Sequence, residues 1–293
     1  MARILINGLG IEYELLGREG APAVALTPGG RFSKDSPGLR ELGEALVAGG
    51  RRVLLWDRPN CGASDICFQA ESESGLHGRT LAKLIQELDL GSVALAGGAA
   101  GSRVSLIAAA AAPAQVSHLV LWWLGGGPVG LMELAHKHCC EPATAASLFG
   151  MEGVVTLPGW SDQVARNPRA RDVLLSQDVD QFIARMQQWA LAYRPSDVSP
   201  IPGMVPDDFA VLKMPTLIFH NGRSDVMHTR QTSEWVHELM PHSRMADPPW
   251  GDGEWNDRVR AVETGAAPGL FVNWPQLAPL ILEFTEQQWR AVA

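Results

Sequence analysis

Cysteine, basic charge and long apolar runs are scarce in this sequence, and each scarcity excludes a class of protein. The four cysteines show no CxxC metal spacing, and no signal peptide is recognised before them, so a reducing cytoplasm is expected. The net charge of -8 excludes the basic surface with which proteins bind nucleic acid or an anionic membrane. The apolar runs at 106–112 and 118–124 are far shorter than the roughly 20 residues of a membrane span. We therefore predict a cytoplasmic protein whose partner is a small molecule, with no nucleic acid or membrane as partner.

Tyrosine is also scarce, and tryptophan takes its place as the main large aromatic residue. The sequence has two tyrosines and ten tryptophans. Six of the tryptophans fall in or near the segments that we assign to a ligand pocket: Trp122, Trp123, Trp160, Trp189, Trp250 and Trp255. Their bulky rings suit an apolar or aromatic ligand.

Short apolar runs alternate with amphipathic segments through the first part of the chain. The Asn7-Gly8 dipeptide predicts an opening hairpin. The strands and helices predicted after it are, in order, 24–27, 39–48, 53–56, 76–88, 93–96, 103–112 and 116–124. Strands that alternate with helices in this way are typical of βαβ units, and hence of a mostly parallel, twisted sheet flanked by helices.

Between residues 129 and 209 the strand pattern stops, and the sequence predicts helices only. The predicted helices are 131–138, 142–149, 160–165, 169–176 and 179–193. Strands at 216–220 and 243–246 flank a helix at 229–240, and a last helix is predicted over 274–289. We therefore predict an α/β core formed by 1–127 and 209–293, with an all-helical lid, 128–208, over the sheet edge where ligands bind in open α/β folds.

The stretch 93–105 predicts a strand, a sharp turn and a helix. Its centre, Gly97-Gly98-Ala99-Ala100-Gly101, has the form of the nucleophile elbow G-x-S-x-G with alanine in place of serine. In that motif small flanking residues let the backbone strain, so that the central side chain projects over the sheet. The sequence therefore predicts the elbow geometry without an attacking atom.

With this elbow, a Pro-Gly-Gly loop at 28–30, the loop 57–64 and the helical insertion all in order, the chain resembles the α/β-hydrolase superfamily. The resemblance implies an oxyanion hole formed by backbone N–H groups of Gly30 or Arg31 and of Ala100. It also implies a triad acid at Asp225, within Gly222-Arg223-Ser224-Asp225. Such a carboxylate orients the catalytic histidine and stabilises its protonated form.

No histidine follows His242, although the superfamily places its triad histidine after the last strand. Asp252 and Glu254 stand in that region, near tryptophans whose apolar surroundings would raise a carboxyl pKa toward that of a general base. Glu254 is the first choice because of its longer side chain, and His228, three residues after Asp225, is the alternative. Ala99, the nucleophile position, and the base position thus both depart from the pattern.

Three functions remain open. The preferred one is hydrolysis of an ester, lactone or related acyl bond in a bulky apolar or aromatic molecule, with Ala99 replacing a serine. The second is a cofactor-independent lyase or decarboxylase that uses carboxylate acid/base chemistry. The third is an inactive, hydrolase-like binding protein. We predict no cofactor and no metal site, because residues 136–140 combine His and Cys without sharing one helix face. A homodimer is left open.

Overall fold

The fold is built on an eight-stranded sheet, seen in a computed structural model that describes residues 2–286. The strands, in chain order, are β1 (Ala2–Ile6), β2 (Leu9–Leu16), β3 (Ala23–Thr27), β4 (Arg52–Trp56), β5 (Val93–Gly98), β6 (Val116–Trp122), β7 (Thr216–Phe219) and β8 (Ser243–Ala246). Their order in the sheet is β1-β2-β4-β3-β5-β6-β7-β8. Only the β1–β2 and β2–β4 pairs are antiparallel, which confirms the predicted mostly parallel sheet and its opening hairpin.

Helices cover both faces of the sheet. They are α1 (Leu39–Ala48), α2 (Glu73–Glu87), α3 (Ala100–Ala111), α4 (Pro128–Ala135), α5 (Glu141–Val155), α6 (Pro158–Arg166), α7 (Ala170–Leu175), α8 (Val179–Leu191), α9 (Pro206–Ala210), α10 (Arg230–Leu239), α11 (Glu254–Glu263) and α12 (Ala278–Glu286). A π-helix, His136–Cys140, joins α4 to α5, and a 3₁₀ turn, Trp274–Leu277, precedes α12. The predicted last helix therefore begins with a 3₁₀ turn, and residues 287–289 lie outside the described residues.

Two apolar clusters lie on opposite faces of the sheet because successive strand side chains alternate. Leu54 of β4 packs with residues of α2, α3 and α10. Its neighbours Val53 and Leu55 pack with residues of α1 and α12. The sheet is thus buried on both faces, as its parallel strands require.

A third apolar cluster lies within the helices between β6 and β7, which we call the lid segment, 128–208. It contains Trp160, Phe182 and Trp189, together with Ile66 and Phe68 from the loop before α2. Phe68 contacts all three lid rings, at centroid distances of 5.2 to 5.8 Å. The lid segment therefore has its own core, which packs on the loop that follows β4. No helix within residues 2–286 is long and apolar enough to span a membrane.

The turn from β5 into α3 depends on glycine at three positions. A Cβ atom at Gly97 would lie 2.6 Å from the Gly101 backbone, and one at Gly98 would clash with the Trp122 indole. A Cβ atom at Gly101 would clash with the Thr27 carbonyl oxygen on β3. The strand and the helix can meet this closely only without side chains at these positions.

We expect Gly101→Ala to destabilise the fold by about 1–3 kcal/mol or more, because the Thr27 main chain cannot move without disturbing the sheet. Urea unfolding measures the change. Gly251→Ala is the matched control, since no atom lies within 4 Å of a Cβ at that position. Equal stability of the two variants would contradict the close contact at the elbow.

Candidate active site

Ala99 occupies a strained backbone conformation between β5 and α3. Its φ is 54° and its ψ is -121°, a region that a residue with a side chain rarely adopts. The Ala99 N–H donates to the Trp122 carbonyl oxygen at 3.2 Å, and the Ala99 carbonyl accepts from Ser102 Oγ at 2.7 Å. These two hydrogen bonds maintain the strained conformation. The elbow geometry is therefore present although the central side chain is a methyl group.

The loop after β3, which carries the expected oxyanion donors, lies directly against the elbow. A Cβ atom at Gly29 would lie only 2.8 Å from the Ala99 Cβ. The fully buried Arg58 fixes this loop, because its Nη2 donates to the carbonyl oxygens of Gly29 and Phe32 at 3.0 and 3.2 Å. The segments bearing Gly30, Arg31 and Ala100 therefore meet, as an oxyanion hole requires.

Asp225 and His228 form a buried pair in the loop after β7. Asp225 Oδ2 lies 2.9 Å from His228 Nδ1. The other carboxylate oxygen, Oδ1, accepts from the backbone N–H groups of Met227 and His228, each at 2.9 Å. Three hydrogen bonds thus fix the carboxylate, which in turn orients the imidazole. We call this pair the Asp225–His228 dyad.

Tryptophan rings enclose the His228 imidazole. The Trp123 ring stacks on it at a centroid distance of 6.0 Å, and the Trp255 ring meets it edge-on at 4.6 Å. Trp250 packs on the far side of Trp123, at 5.8 Å. The His228 imidazole is therefore held among apolar rings. The sequence predicts such surroundings for a carboxylate base, Asp252 or Glu254.

The two carboxylates expected after the last strand have other partners. Glu254 begins α11, where its Oε1 accepts from Asn273 Nδ2 at 2.8 Å and pairs with Arg258 Nε at 3.3 Å. Asp252 is half-exposed and pairs with Arg230 and Arg223, at 2.9 and 3.3 Å. These contacts give both carboxylates a role in holding the loop, and they move our preference for the base from Glu254 to His228.

Phe271 is a neighbour of the elbow that sequence reasoning missed. Its ring Cζ lies 3.5 Å from a Cβ position at Gly29, and its ring stacks on Trp274 at a centroid distance of 4.1 Å. The residue is only 1% exposed. The segment 269–274 thus also reaches the elbow after β8, beside the tryptophans that flank 252–254. An aromatic residue in a Gly-Leu-Phe-Val run carries no catalytic signal by itself.

The six tryptophans divide into two groups. Trp122, Trp123, Trp250 and Trp255 pack together beside the elbow. Trp160 and Trp189 belong to the core of the lid segment, where Trp189 Nε1 donates to the Ala70 carbonyl at 2.8 Å. Trp160 nevertheless reaches the site through Arg31, whose Cζ lies 4.2 Å above its ring.

A buried ionic cluster joins the oxyanion loop to the lid segment, and sequence reasoning did not find it. Arg31 Nη2 pairs with Glu73 Oε1 at 2.9 Å, and Arg31 Nε donates to Nδ1 of His138 at 3.3 Å. Asn60 Nδ2 also donates to Glu73, at 3.1 Å. Within the 136–140 stretch, His138 thus accepts a hydrogen bond from Arg31, which lies in the loop that carries the expected oxyanion donors.

Burial lowers the pKa of His77 and of His138 well below the ordinary value near 6.5, and nearby arginines lower both further. At His138 the largest charge effect comes from Arg31, and at His77 it comes from Arg58. Both imidazoles are therefore neutral in the folded protein at pH 7. Neutrality lets His138 accept the Arg31 hydrogen bond.

We expect the free energy of unfolding to fall as the pH is lowered from about 7 to 5, because the unfolded chain then binds protons at these histidines and the folded protein does not. The slope approaches about 1.4 kcal/mol per pH unit for each histidine below its unfolded pKa. Urea titrations at several pH values measure it. His138→Gln should flatten the slope, and the same change at the exposed His136 is the control. An unchanged slope in His138→Gln would contradict the assignment.

A cleft of about 230 Å³ opens beside the dyad. It is lined by Pro128, Val129, Arg223, Ser224, Asp225, Val226 and Thr229. A second cleft, of about 180 Å³, lies within the lid segment, between Leu131, the end of α8 and the 199–204 loop. Ala99 lines neither cleft, since the aromatic side chains around the elbow pack closely.

Comparison with known proteins gives the fold. No family model matches the chain. An α/β hydrolase, MGS-M2, from a Medee basin deep-sea metagenome library superposes with a TM-score of 0.60, at 16% identity over 99% of this chain and 98% of that one. A serine-to-alanine mutant of a meta-cleavage product hydrolase from Pseudomonas fluorescens, complexed with acetates, gives 0.59, at 19% identity over 98% and 97%. The chain has the α/β-hydrolase fold.

A curated relative matches over a shorter stretch. The 2-hydroxy-6-oxononadienedioate/2-hydroxy-6-oxononatrienedioate hydrolase of Cupriavidus pinatubonensis is 44% identical over 87 residues. That stretch is 30% of this chain and 29% of the relative's length. The local similarity joins this chain to a named hydrolase over less than a third of either protein.

Proposed function

We propose that the protein is an acyl hydrolase in which the Asp225–His228 dyad is the general base. The observation that carries the proposal is the buried hydrogen bond of 2.9 Å between Asp225 Oδ2 and His228 Nδ1. It fixes the tautomer with Nδ1 protonated, which leaves Nε2 as the atom that accepts a proton. The carboxylate then stabilises the imidazolium that forms.

The sheet topology supports a common site for the dyad and the elbow. β5, β6 and β7 are adjacent and parallel, so Ala99, Trp123 and the Asp225 loop all leave the same edge of the sheet. Strands are spaced about 4.8 Å apart, which separates the ends of β5 and β7 by about 10 Å. Trp123 leaves the sheet between the two loops.

The proposed reaction uses water as the nucleophile because position 99 has no hydroxyl group. His228 Nε2 takes a proton from water as its oxygen bonds to the acyl carbon. The carbonyl oxygen becomes an oxyanion, held by backbone N–H groups of Gly30 or Arg31 and of Ala100. When the tetrahedral species of an ester or lactone collapses, the bond to the leaving oxygen breaks, and that oxygen takes the proton back from His228. In a 2-hydroxy-6-oxo-dienoate the bond that breaks joins the acyl carbon to a carbon atom, and that carbon takes the proton.

The proposed substrate is a bulky apolar or aromatic ester, lactone or related compound. The tryptophans around His228 and the apolar lid support this class. The curated relative named for hydrolysing a 2-hydroxy-6-oxo-dienedioate adds vinylogous acyl compounds to it. The role of the lid segment, the cytoplasmic location and the oligomeric state stay predictions.

A panel of aryl esters, lactones and 2-hydroxy-6-oxo-dienoates tests the proposal, with product acid measured by chromatography. Release of acid from at least one class, absent in the heat-denatured protein, is expected. A folded protein that releases acid from none of them would contradict the hydrolase assignment.

The second candidate is a cofactor-independent lyase or decarboxylase on the same scaffold. One observation favours it: the backbone at position 99 has the strained elbow conformation although Ala99 has no nucleophilic side chain to present. Such an enzyme needs the oxyanion donors and the dyad but no serine. A lyase differs from a hydrolase because its products contain no oxygen from water. A binding protein would release the ligand unchanged.

A further inference from the structure

Arg103 is a buried cation without a carboxylate partner among residues 2–286. The residue is 4% exposed, and its Nε donates to Ser74 Oγ at 2.8 Å. Its guanidinium lies 5.5 Å from the centre of the Tyr193 ring. Within the described chain, no Asp or Glu oxygen lies within 4.0 Å of it. The guanidinium is thus largely buried, with one neutral hydrogen bond and one aromatic face as its contacts.

The neighbouring buried arginines have other contacts. Arg31 pairs with Glu73, and Arg58, which also has no carboxylate partner among residues 2–286, donates to two carbonyl oxygens of the oxyanion loop. Arg58 Nε and Nη1 lack a hydrogen-bond partner in the described chain, so Arg103 differs from Arg58 by its position beside the dyad. A buried charge is costly unless an opposite charge pairs with it, so a fold that keeps Arg103 gains most when an anion is bound.

The position of Arg103 places it at the proposed reaction site. It lies on α3 four residues after Ala99, about one helical turn from the elbow. A Cβ atom at Gly125 would lie 3.8 Å from Arg103 Nη1 and 3.8 Å from His228 Cδ2. Arg103 Nη1 and the imidazole of the dyad therefore border the same small space, no more than twice that distance apart.

We propose that Arg103 binds a carboxylate of the substrate, so that the acyl compound hydrolysed here is an anion. The proposal rests on the proposed function and names its substrate class. A guanidinium presents paired N–H donors that match the two oxygens of a carboxylate. The apolar part of the substrate then lies against the tryptophans, and the acyl carbon lies between Arg103 and the elbow.

Binding of two matched probes tests the proposal without requiring turnover. The probes are 3-phenylpropionate and 3-phenylpropan-1-ol, which share the aromatic group and differ in charge. Titration calorimetry and tryptophan fluorescence give the dissociation constants. The wild-type protein is expected to bind the carboxylate at least about tenfold more tightly than the alcohol, and Arg103→Met is expected to remove this preference.

Arg171→Met is the control, because Arg171 is an exposed lid residue paired with Glu152, and it should keep the preference. Arg103→Lys retains the charge without the paired donors and should bind the carboxylate with intermediate affinity. In the absence of ligand, Arg103→Met is expected to melt at the same temperature as the wild type or higher, since an unpaired buried charge has been removed.

Three results would overturn the proposal. The first is equal affinity of the wild-type protein for the two probes, or no binding of the carboxylate. The second is an unchanged preference in Arg103→Met. The third is a strong loss of melting temperature in that variant, which would show a structural role. Failure of the ester and lactone panel alone would refute the hydrolase assignment and leave the carboxylate site standing.

Discussion

His228→Ala is expected to lower kcat by about 10²–10⁴-fold on any substrate that the protein hydrolyses. The variant loses the only group in the proposed mechanism that moves a proton, while the Asp225 carboxylate keeps its hydrogen bonds from the backbone N–H groups of residues 227 and 228. Steady-state kinetics give kcat and KM separately. KM should change little, because the apolar tryptophan surface that binds the substrate remains.

Two variants make this result specific. Asp225→Asn is expected to lower kcat as well, since an amide cannot stabilise the imidazolium and favours the wrong tautomer. His242→Ala, at an exposed position, should leave kcat unchanged. A His228→Ala protein that is folded and retains its kcat would exclude the dyad as the base.

Ala99→Ser is expected to raise the rate of aryl ester hydrolysis by about 10³-fold or more, and to produce a burst of product as an acyl-enzyme forms. The backbone at position 99 already has the φ and ψ of a nucleophile elbow, which aim the side chain over the sheet. Stopped-flow absorbance with a chromogenic ester measures the burst and the steady rate.

The double variant Ala99→Ser/His228→Ala is the matched control and should lose both the burst and the gain in rate. Unchanged ester turnover in folded Ala99→Ser would contradict a dormant serine mechanism and leave hydrolysis by activated water as the only route. A gain that survives loss of His228 would place the base elsewhere, with Glu254 the first residue to test.

The sheet, the elbow and most helices could be predicted from the sequence because local patterns determine them. The glycines at 97, 98 and 101 signal the turn, and alternating apolar runs signal the parallel strands. Helix α11 was not predicted, although Trp255, Val259 and Val262 recur at helical spacing; none of its residues is fully buried, and charged residues separate these three. The π-helix at 136–140 likewise departs from a period of 3.6 residues.

The site was harder to predict, since its contacts join distant parts of the chain. The contacts of Arg31 with Glu73 and His138 require the lid segment to pack on the core, and no spacing in the sequence predicts them. Asp225 and His228 stand three residues apart in one loop and could be named from the sequence. The sequence favours Glu254 as base because of its longer side chain in the region after β8. Its contacts with Asn273 and Arg258 depend on tertiary packing and cannot be predicted from the sequence.

Turnover in oxygen-18 water tests the central claim most directly, using the best substrate from the panel with wild-type protein and His228→Ala. The account predicts one labelled oxygen in the acid product of the wild-type reaction, no acyl adduct in the intact mass of the protein, and almost no product from His228→Ala. Unlabelled product, or labelled product formed equally fast without His228, would contradict hydrolysis by a water molecule that the Asp225–His228 dyad activates.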